Sequence, residues 1–302
     1  MAPPPIVMVL LATYRGAAFL DSQIASILWQ TGVDARIVAR DDGSSDDTVV
    51  VLRKWIERYP ARVTLLDDAH GPTGSAPGNF FRLFANAPIE QADYVALADQ
   101  DDVWLPDKLH RAASRMIEAG ADGASCDLIA FGDDARAAWH IRKAGADADL
   151  DYLFQGASAG CTYVLSRRAA LVVRKVLGGL TDPPIARVSH DWTIYAICRS
   201  RGLDWVRDGR AGLLYRQHGS NDYGARRGLP ALLQRASIVR DSWYRQHVLW
   251  LRNVVALTDT EQSVFAAVER RDRLWLARNA RRFRRTRREV RLLQAAFITG
   301  MF

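Results

Sequence analysis

Cysteine is scarce: the 302 residues contain three, Cys126, Cys161 and Cys198, widely spaced and in no Cys-x-x-Cys pair. Such a count suggests neither a disulfide framework nor a structural zinc site, and a reducing compartment suits it best. Long apolar runs are missing too. The run near the N-terminus covers only residues 6–12 and has no basic segment before it, too little for a signal peptide or a membrane span. The expectation is a chain that is neither exported nor membrane-spanning. No fixed-period repeat is visible. What is present is 49% apolar and 25% charged, the balance of a globular protein with one large core or two modest ones. The net charge of +7 is uneven, because residues 270–291 hold 11 Arg against Asp272 and Glu289. Without that segment the chain is slightly acidic.

The most informative stretch is Ala98-Asp99-Gln100-Asp101-Asp102-Val103-Trp104, three carboxylates directly after the apolar run Tyr94-Val95-Ala96-Leu97. Close carboxylates repel unless something neutralises them, so a strand delivering several at its carboxyl end points to a cation there. A second acidic group, Arg40-Asp41-Asp42-Gly43-Ser44-Ser45-Asp46-Asp47-Thr48, follows Ile37-Val38-Ala39 and opens a helical pattern. Two strands ending in acids at one edge of a sheet indicate a site for a nucleoside diphosphate and a metal.

The surrounding pattern is α/β. Residues 6–12 suit a strand covered on both faces, and Leu20, Ile24, Ile27 and Leu28 recur at helical spacing. Strands follow at residues 35–41, 63–67 and 94–99, alternating with helical segments around Leu52 and Phe80. This order predicts a mostly parallel sheet with right-handed crossovers and a ligand site at the strands' carboxyl ends, where Thr13, Asp41, Asp67 and Asp99 fall. Residues 121–150 are weakly periodic and predict one strand, 128–131, then loops. Ser189-His190-Asp191-Trp192 opens another helix, and short strands are expected near residues 205–206 and 213–215. Beyond Pro230 the pattern is helical, with Trp243, Val248, Leu251 and Val255 on one face. A boundary at residues 221–228 is expected to divide a body, residues 1–225, from a helical Arg-rich extension, residues 226–302.

Read together, Ala12-Thr13-Tyr14, Arg40-Asp41-Asp42-Gly43-Ser44, Asn79-Phe80, the Ala98–Trp104 acidic stretch, Ser189-His190-Asp191-Trp192 and Tyr215-Arg216-Gln217-His218-Gly219-Ser220-Asn221 resemble the inverting family 2 glycosyltransferases of GT-A fold, bacterial rhamnosyltransferase-like branch. The ordered set covers residues 6–221. It implies a Rossmann-like sheet with helices on both faces, and an enzyme moving a sugar, rhamnose from dTDP-rhamnose or alternatively a hexose or N-acetylhexosamine from UDP, with Mg²⁺ or Mn²⁺.

The resemblance also implies site roles. Asp101 is the first choice as metal ligand, with Asp99 fixing the ribose or metal and Asp102 orienting the donor sugar or standing behind the ligands. Thr13 and Tyr14 would line the base pocket, Asp41 would accept the base N–H with Asp42 beside it, and Asn79 would contact the donor. Arg216 and His218 alternate along an extended segment and so share a face, suited to the diphosphate and its metal. Asp191, at a helix start, would be the single base that inversion needs, and His190 would orient it.

The Arg-rich extension admits three readings: nucleic acid, an anionic membrane surface into which Trp275, Leu276, Phe283, Leu292 and Leu293 would insert, or a solvated face. The resemblance favours the membrane, because such transferases act on saccharide or lipid-linked saccharide acceptors; the protein would then be cytoplasmic and peripheral. A rival from another class is a non-catalytic metal- and nucleotide-binding module with a partner-binding tail, for which a base at Asp191 has no use.

Overall fold

The computed structural model describes residues 3–67, 71–132, 138–180, 188–217 and 243–302. Its first strand, β1 (Ile6–Thr13), is buried along nearly its whole length. Because side chains alternate across a strand, Met8 and Leu10 enter one apolar core and Val7, Val9 and Leu11 the other. β1 pairs in parallel with β2 (Asp34–Asp41) on one side and β4 (Tyr94–Ala98) on the other, and β2 pairs in parallel with β3 (Val63–Leu65). The register sets Thr13 opposite Asp41 and Leu11 opposite Ala98, so the acidic segments begin along one rim.

Helices α1 (Ala17–Leu28), α2 (Thr48–Arg58) and α4 (Lys108–Ala119) cover one face through Leu20, Ile24, Ile27, Leu52, Leu109 and Met116. The other face takes α3 (Ala76–Asn86), α5 (Arg167–Gly178) and α6 (His190–Arg199), with Phe80, Phe84, Val173, Ile194 and Tyr195. Helices on both faces of a mostly parallel sheet agree with the expected class.

Beyond β4 the sheet becomes mixed. β8 (Val164–Ser166) runs antiparallel between β4 and β6 (Gly123–Gly132), β9 (Trp205–Gln217) runs parallel to β6, and the short β5 (Val103–Trp104) closes the edge antiparallel to β9. The two short strands expected at 205–206 and 213–215 are one strand. Its register against β6 jumps from Cys126 opposite Asp208 to Asp127 opposite Ala211, a bulge that interrupts the alternation. The loops expected after residue 131 include a further strand, β7 (Ala138–Ile141), paired with Leu128 to Phe131. Neither β7 nor α5 was expected from the pattern.

The tail is helical as expected: α7 (Trp243–Trp250), α8 (Asp259–Arg270), α9 (Arg273–Phe283) and α10 (Arg287–Thr299). These helices do not stand apart. Val248, Leu251, Phe265, Leu276, Phe283, Leu293 and Phe297 join the same core as α3, α5 and α6, and Phe154 of the body stacks on Phe283 with centroids 4.2 Å apart. This corrects the expected membrane-facing set. Leu276, Phe283 and Leu293 are core residues, Trp275 is half-buried, and Leu292 alone of the five is exposed. The expected boundary at 221–228 lies outside the described residues.

Candidate active site

The rim is built by strand ends that grip one another. The Thr13 hydroxyl lies 3.0 Å from Asp41 Oδ1 and 3.3 Å from the Arg40 carbonyl oxygen. Asp41 also accepts from the N–H groups of Gly43 and Ser44, at 3.1 and 2.7 Å, and from the Ser44 hydroxyl at 2.5 Å. A carboxylate offers about four lone-pair sites, so a further donor reaches Asp41 only if a hydroxyl turns away. Tyr14 is half-exposed, and its backbone N–H and carbonyl are clasped at 2.8 Å each by the side-chain amide of Gln100. Gly16 makes this approach possible, since a Cβ there would lie 2.1 Å from Gln100 Oε1.

Two residues assigned to the donor lie beneath the rim. Asp42 is buried and accepts from Arg40 at 2.8 Å, from the Thr73 N–H at 2.7 Å and from the Gly74 N–H at 2.8 Å. Burial works to raise its carboxyl, but the bonds from Thr73, Arg40 and Gly74 outweigh it and hold Asp42 below the usual range. Asn79 donates to the carbonyls of Thr13, at 3.2 Å, and Arg40, at 3.1 Å, while its oxygen accepts from Arg40. Both donors of the Asn79 amide and most of the acceptor sites of Asp42 are thereby used within the protein. Both side chains are buried, and their bonds satisfy neighbouring buried polar groups. Arg40, which the motif included without a role, is the hub of this layer.

In the acidic turn, Asp99 is half-buried, Asp101 nearly buried and Asp102 fully buried. Asp99, Asp102 and Cys161 bring one ligand atom each within 4.8 Å of one another, and Asp101 is outside this group. Neither oxygen of Asp102 makes a hydrogen bond of good geometry, although the Cys161 thiol and the Arg216 backbone N–H lie close by. Its burial and the neighbouring charges of Asp99 and Asp101 drive its carboxyl well above the usual range. A buried and crowded carboxylate is what a bound cation would relieve, so these residues fit a divalent ion. Asp102 is fully buried beside Asp99. Lys108 lies deeper still, its ammonium 3.3 Å from the Trp104 ring centroid and without a hydrogen bond. Burial draws Lys108 down to about 8, against the opposing pull of Cys126, Cys161 and Asp102. Sequence reasoning passed over both Lys108 and Cys161, which carry no spacing signal.

Arg216 joins the acidic turn to β9: its Nε–H donates to the Asp101 carbonyl at 3.1 Å, and its guanidinium lies 4.7 Å from the Phe131 ring centroid and 5.0 Å from that of Phe19. His218 lies outside the described residues. Asp191 sits in the first turn of α6, where Oδ1 accepts from the Trp192 N–H at 2.7 Å and from the Ser189 hydroxyl. Oδ2 makes no hydrogen bond among the described residues. His190 is half-buried and stacks on Phe80, ring centroids 4.1 Å apart, and desolvation pulls its imidazole below the ordinary value while Asp191 pulls it back.

A family profile, glycosyl transferase family 2, matches residues 8–171, more than half of the chain. The chain belongs to glycosyl transferase family 2. This family 2 glycosyltransferase is 32% identical over 246 residues to the dTDP-rhamnosyl transferase RfbG of Shigella flexneri, covering 82% of this chain and 84% of that one. In fold it is similar to S. aureus TarS, residues 1–349, with a TM-score of 0.57 at 11% identity, covering 97% of this chain and 91% of TarS. It is also similar to the mannosyltransferase PcManGT of Pyrobaculum calidifontis, solved with GDP-Man and Mn²⁺, with a TM-score of 0.52 at 16% identity over 100% of this chain and 83% of the other. The GT-A-like fold and a nucleotide-sugar-dependent transferase activity agree with the expectation from the motifs.

Proposed function

We propose that this enzyme transfers rhamnose from dTDP-rhamnose to a saccharide acceptor of a cell-surface polysaccharide, with inversion. The observation that carries the donor is the 32% identity to a dTDP-rhamnosyl transferase across 82% of the chain. Asp99 and Asp101 would hold Mg²⁺ or Mn²⁺, which when bound supplies positive charge to the departing diphosphate. Thr13, Tyr14 and Asp41 form the rim against which the base lies, the base N–H replacing one hydroxyl on Asp41. Arg216 faces the diphosphate from β9.

Asp191 acts as the base. The acceptor hydroxyl gives its proton to Asp191 as its oxygen bonds to the anomeric carbon, and the bond from that carbon to the phosphate oxygen breaks, its electron pair leaving with the nucleoside diphosphate. Asp191 lies in the first turn of α6, where the helix dipole favours a negative charge.

The acceptor is read as lipid-linked, and the outer face of α9 and α10 as a contact for an anionic membrane. Supporting this, Leu274, Leu292 and Ile298 are exposed at 64, 62 and 58% beside the exposed Arg278, Arg281, Arg288 and Arg291. Among the described residues no helix is long and apolar enough to cross a membrane.

The test is a thermal-shift screen of dTDP-rhamnose, dTDP, UDP-glucose and UDP-GlcNAc, each with Mn²⁺ and with EDTA. Selective Mn²⁺-dependent stabilisation by the dTDP ligands is expected, because binding to the folded state alone raises the midpoint. Preference for the UDP sugars would reassign the donor, and no response to any of them would remove the transferase mechanism.

A further inference from the structure

We propose that Arg285, on the connection between α9 and α10, is a positioning residue for the base: it fixes the loop that walls Asp191. The inference rests on Asp191 being that base. Arg285 reaches back across the body to three acceptors at once. Its Nε–H donates to Asp151 at 2.5 Å, one terminal nitrogen to the Ala157 carbonyl at 3.0 Å and the other to the Gly156 carbonyl at 2.8 Å. The side chains of Arg285 and Asp151 are 7 and 0% exposed, so water replaces none of these bonds cheaply.

The loop held in this way continues directly into the wall of the base. The Tyr163 hydroxyl accepts from the N–H groups of Ala157 and Ser158, at 2.8 and 3.3 Å. At Gly160 a Cβ would stand 2.6 Å from His190 Nε2 and 3.2 Å from Asp191 Cβ, so the backbone there presses against both side chains. From the other side the Trp192 indole donates to the Tyr152 carbonyl at 2.8 Å. The first turn of α6 is thus gripped by residues 152–160, and the 156–157 end of that grip hangs on Arg285.

The chemistry selects arginine. A guanidinium presents donors in a planar fork and satisfies a carboxylate and two divergent carbonyls together, whereas a lysine ammonium on a flexible stem cannot reproduce that geometry. Without the fork, two buried carbonyls lose their donor and the loop shifts to find others. A displacement of about 1 Å at a catalytic group costs up to roughly 10²-fold in rate. The body's chemistry therefore depends on a residue from the tail, beyond the stretch matched by the family profile.

The test compares the full-length Arg285→Lys and Arg285→Met variants with Leu293→Ala, a core truncation on α10 that removes apolar packing of the tail and none of the hydrogen bonds made by Arg285. Donor affinity is measured by calorimetry with dTDP-rhamnose and Mn²⁺. Turnover is measured as dTDP release with water as acceptor, at a temperature where circular dichroism shows every variant folded. Hydrogen exchange is followed over residues 154–165 and 188–196. For both Arg285 variants kcat is expected to fall about tenfold or more while the donor Kd stays within about twofold, with faster exchange confined to those two segments. Leu293→Ala is expected to keep wild-type kcat. Wild-type kcat and exchange in Arg285→Lys would overturn the proposal, as would an equal loss of kcat in Leu293→Ala. Asp191→Asn is run alongside: if it loses turnover while the Arg285 variants keep it, only the positioning role fails; if it turns over normally, the assignment of the base fails first.

Discussion

Arg40 and Asp42 form an ion pair at 2.8 Å with side chains only 3 and 5% exposed, directly under the rim that carries Thr13 and Asp41. The same guanidinium donates to Asn79 at 3.1 Å and to the Gly71 carbonyl at 2.7 Å, so one buried cation ties β2, α3 and the 71–74 loop together. Breaking a buried pair from one side leaves its partner's charge uncompensated. Arg40→Met is therefore expected to cost about 3–5 kcal/mol, read by urea denaturation at pH 7. Asp42 sets the pH dependence: its folded value lies below the ordinary 3.8, so the stability it lends is complete above that value. It is lost as pH falls through the folded value. Asp42→Asn should flatten the decline of stability below pH 4, and an unchanged acid limb would remove Asp42 from the account.

The proposed ligand roles of Asp99 and Asp101 are open to a direct test. Asp99→Ala and Asp101→Ala are each expected to weaken Mn²⁺-dependent nucleotide binding at least tenfold in calorimetry, about 1.4 kcal/mol, with little effect in EDTA. Asp191→Asn should leave that affinity intact and lower turnover by about 10²–10⁴, the usual contribution of a general base. Equal metal-dependent affinity in the Asp101 variant would take it out of the ligand set.

Much of this was legible in the chain. β1, β2 and β4 read as apolar runs because both faces are covered, and the acids after β2 and β4 stand at the strand ends that flank β1, as the parallel order requires. The motifs disclosed residue types but not burial. Asp41 and Asp42 are neighbours in sequence, yet one lies at the rim and the other underneath, because successive side chains leave a strand end on opposite sides. The strand β9 was hidden by its own bulge at residues 209–210, and α5 and β7 draw their placement from partners far along the chain. Arg285 is one of many arginines in an unbroken basic pattern, and nothing local distinguishes the one that turns inward.

His247 shows a further reach of the tail into the body. It is buried on α7, packs at a tilt against Trp192 with centroids 4.2 Å apart, and accepts the Ser189 N–H at 3.4 Å. Burial pulls its imidazole down to about 3. The folded protein keeps it neutral while the unfolded chain takes up a proton near pH 6.5, so its contribution is complete above that pH and declines as the pH falls toward 3. Between pH 7 and 5.5 this single group should remove about 1 kcal/mol of stability. In His247→Phe the decline measured by urea denaturation is expected to be smaller by that amount, and parallel profiles for the two proteins would assign the acid sensitivity elsewhere.

The outward arginines of the tail have no comparable internal duty. Arg278, Arg281, Arg288 and Arg291 are exposed, while the inward Arg282, Arg284 and Arg285 bond to Asp149, Gln155 and Asp151 of the body. A basic residue near an anionic bilayer contributes about 1 kcal/mol, screened by salt. The fourfold variant Arg278→Ser, Arg281→Ser, Arg288→Ser, Arg291→Ser is therefore expected to lose most of its sedimentation with vesicles of phosphatidylglycerol at low salt, while its denaturation midpoint stays near that of the wild type. Leu292→Ser should reduce binding further without restoring it at high salt, because the apolar contact is not screened. Equal sedimentation of all three proteins, or equal binding to uncharged phosphatidylcholine vesicles, would leave the outer face of α9 and α10 as an ordinary solvated surface.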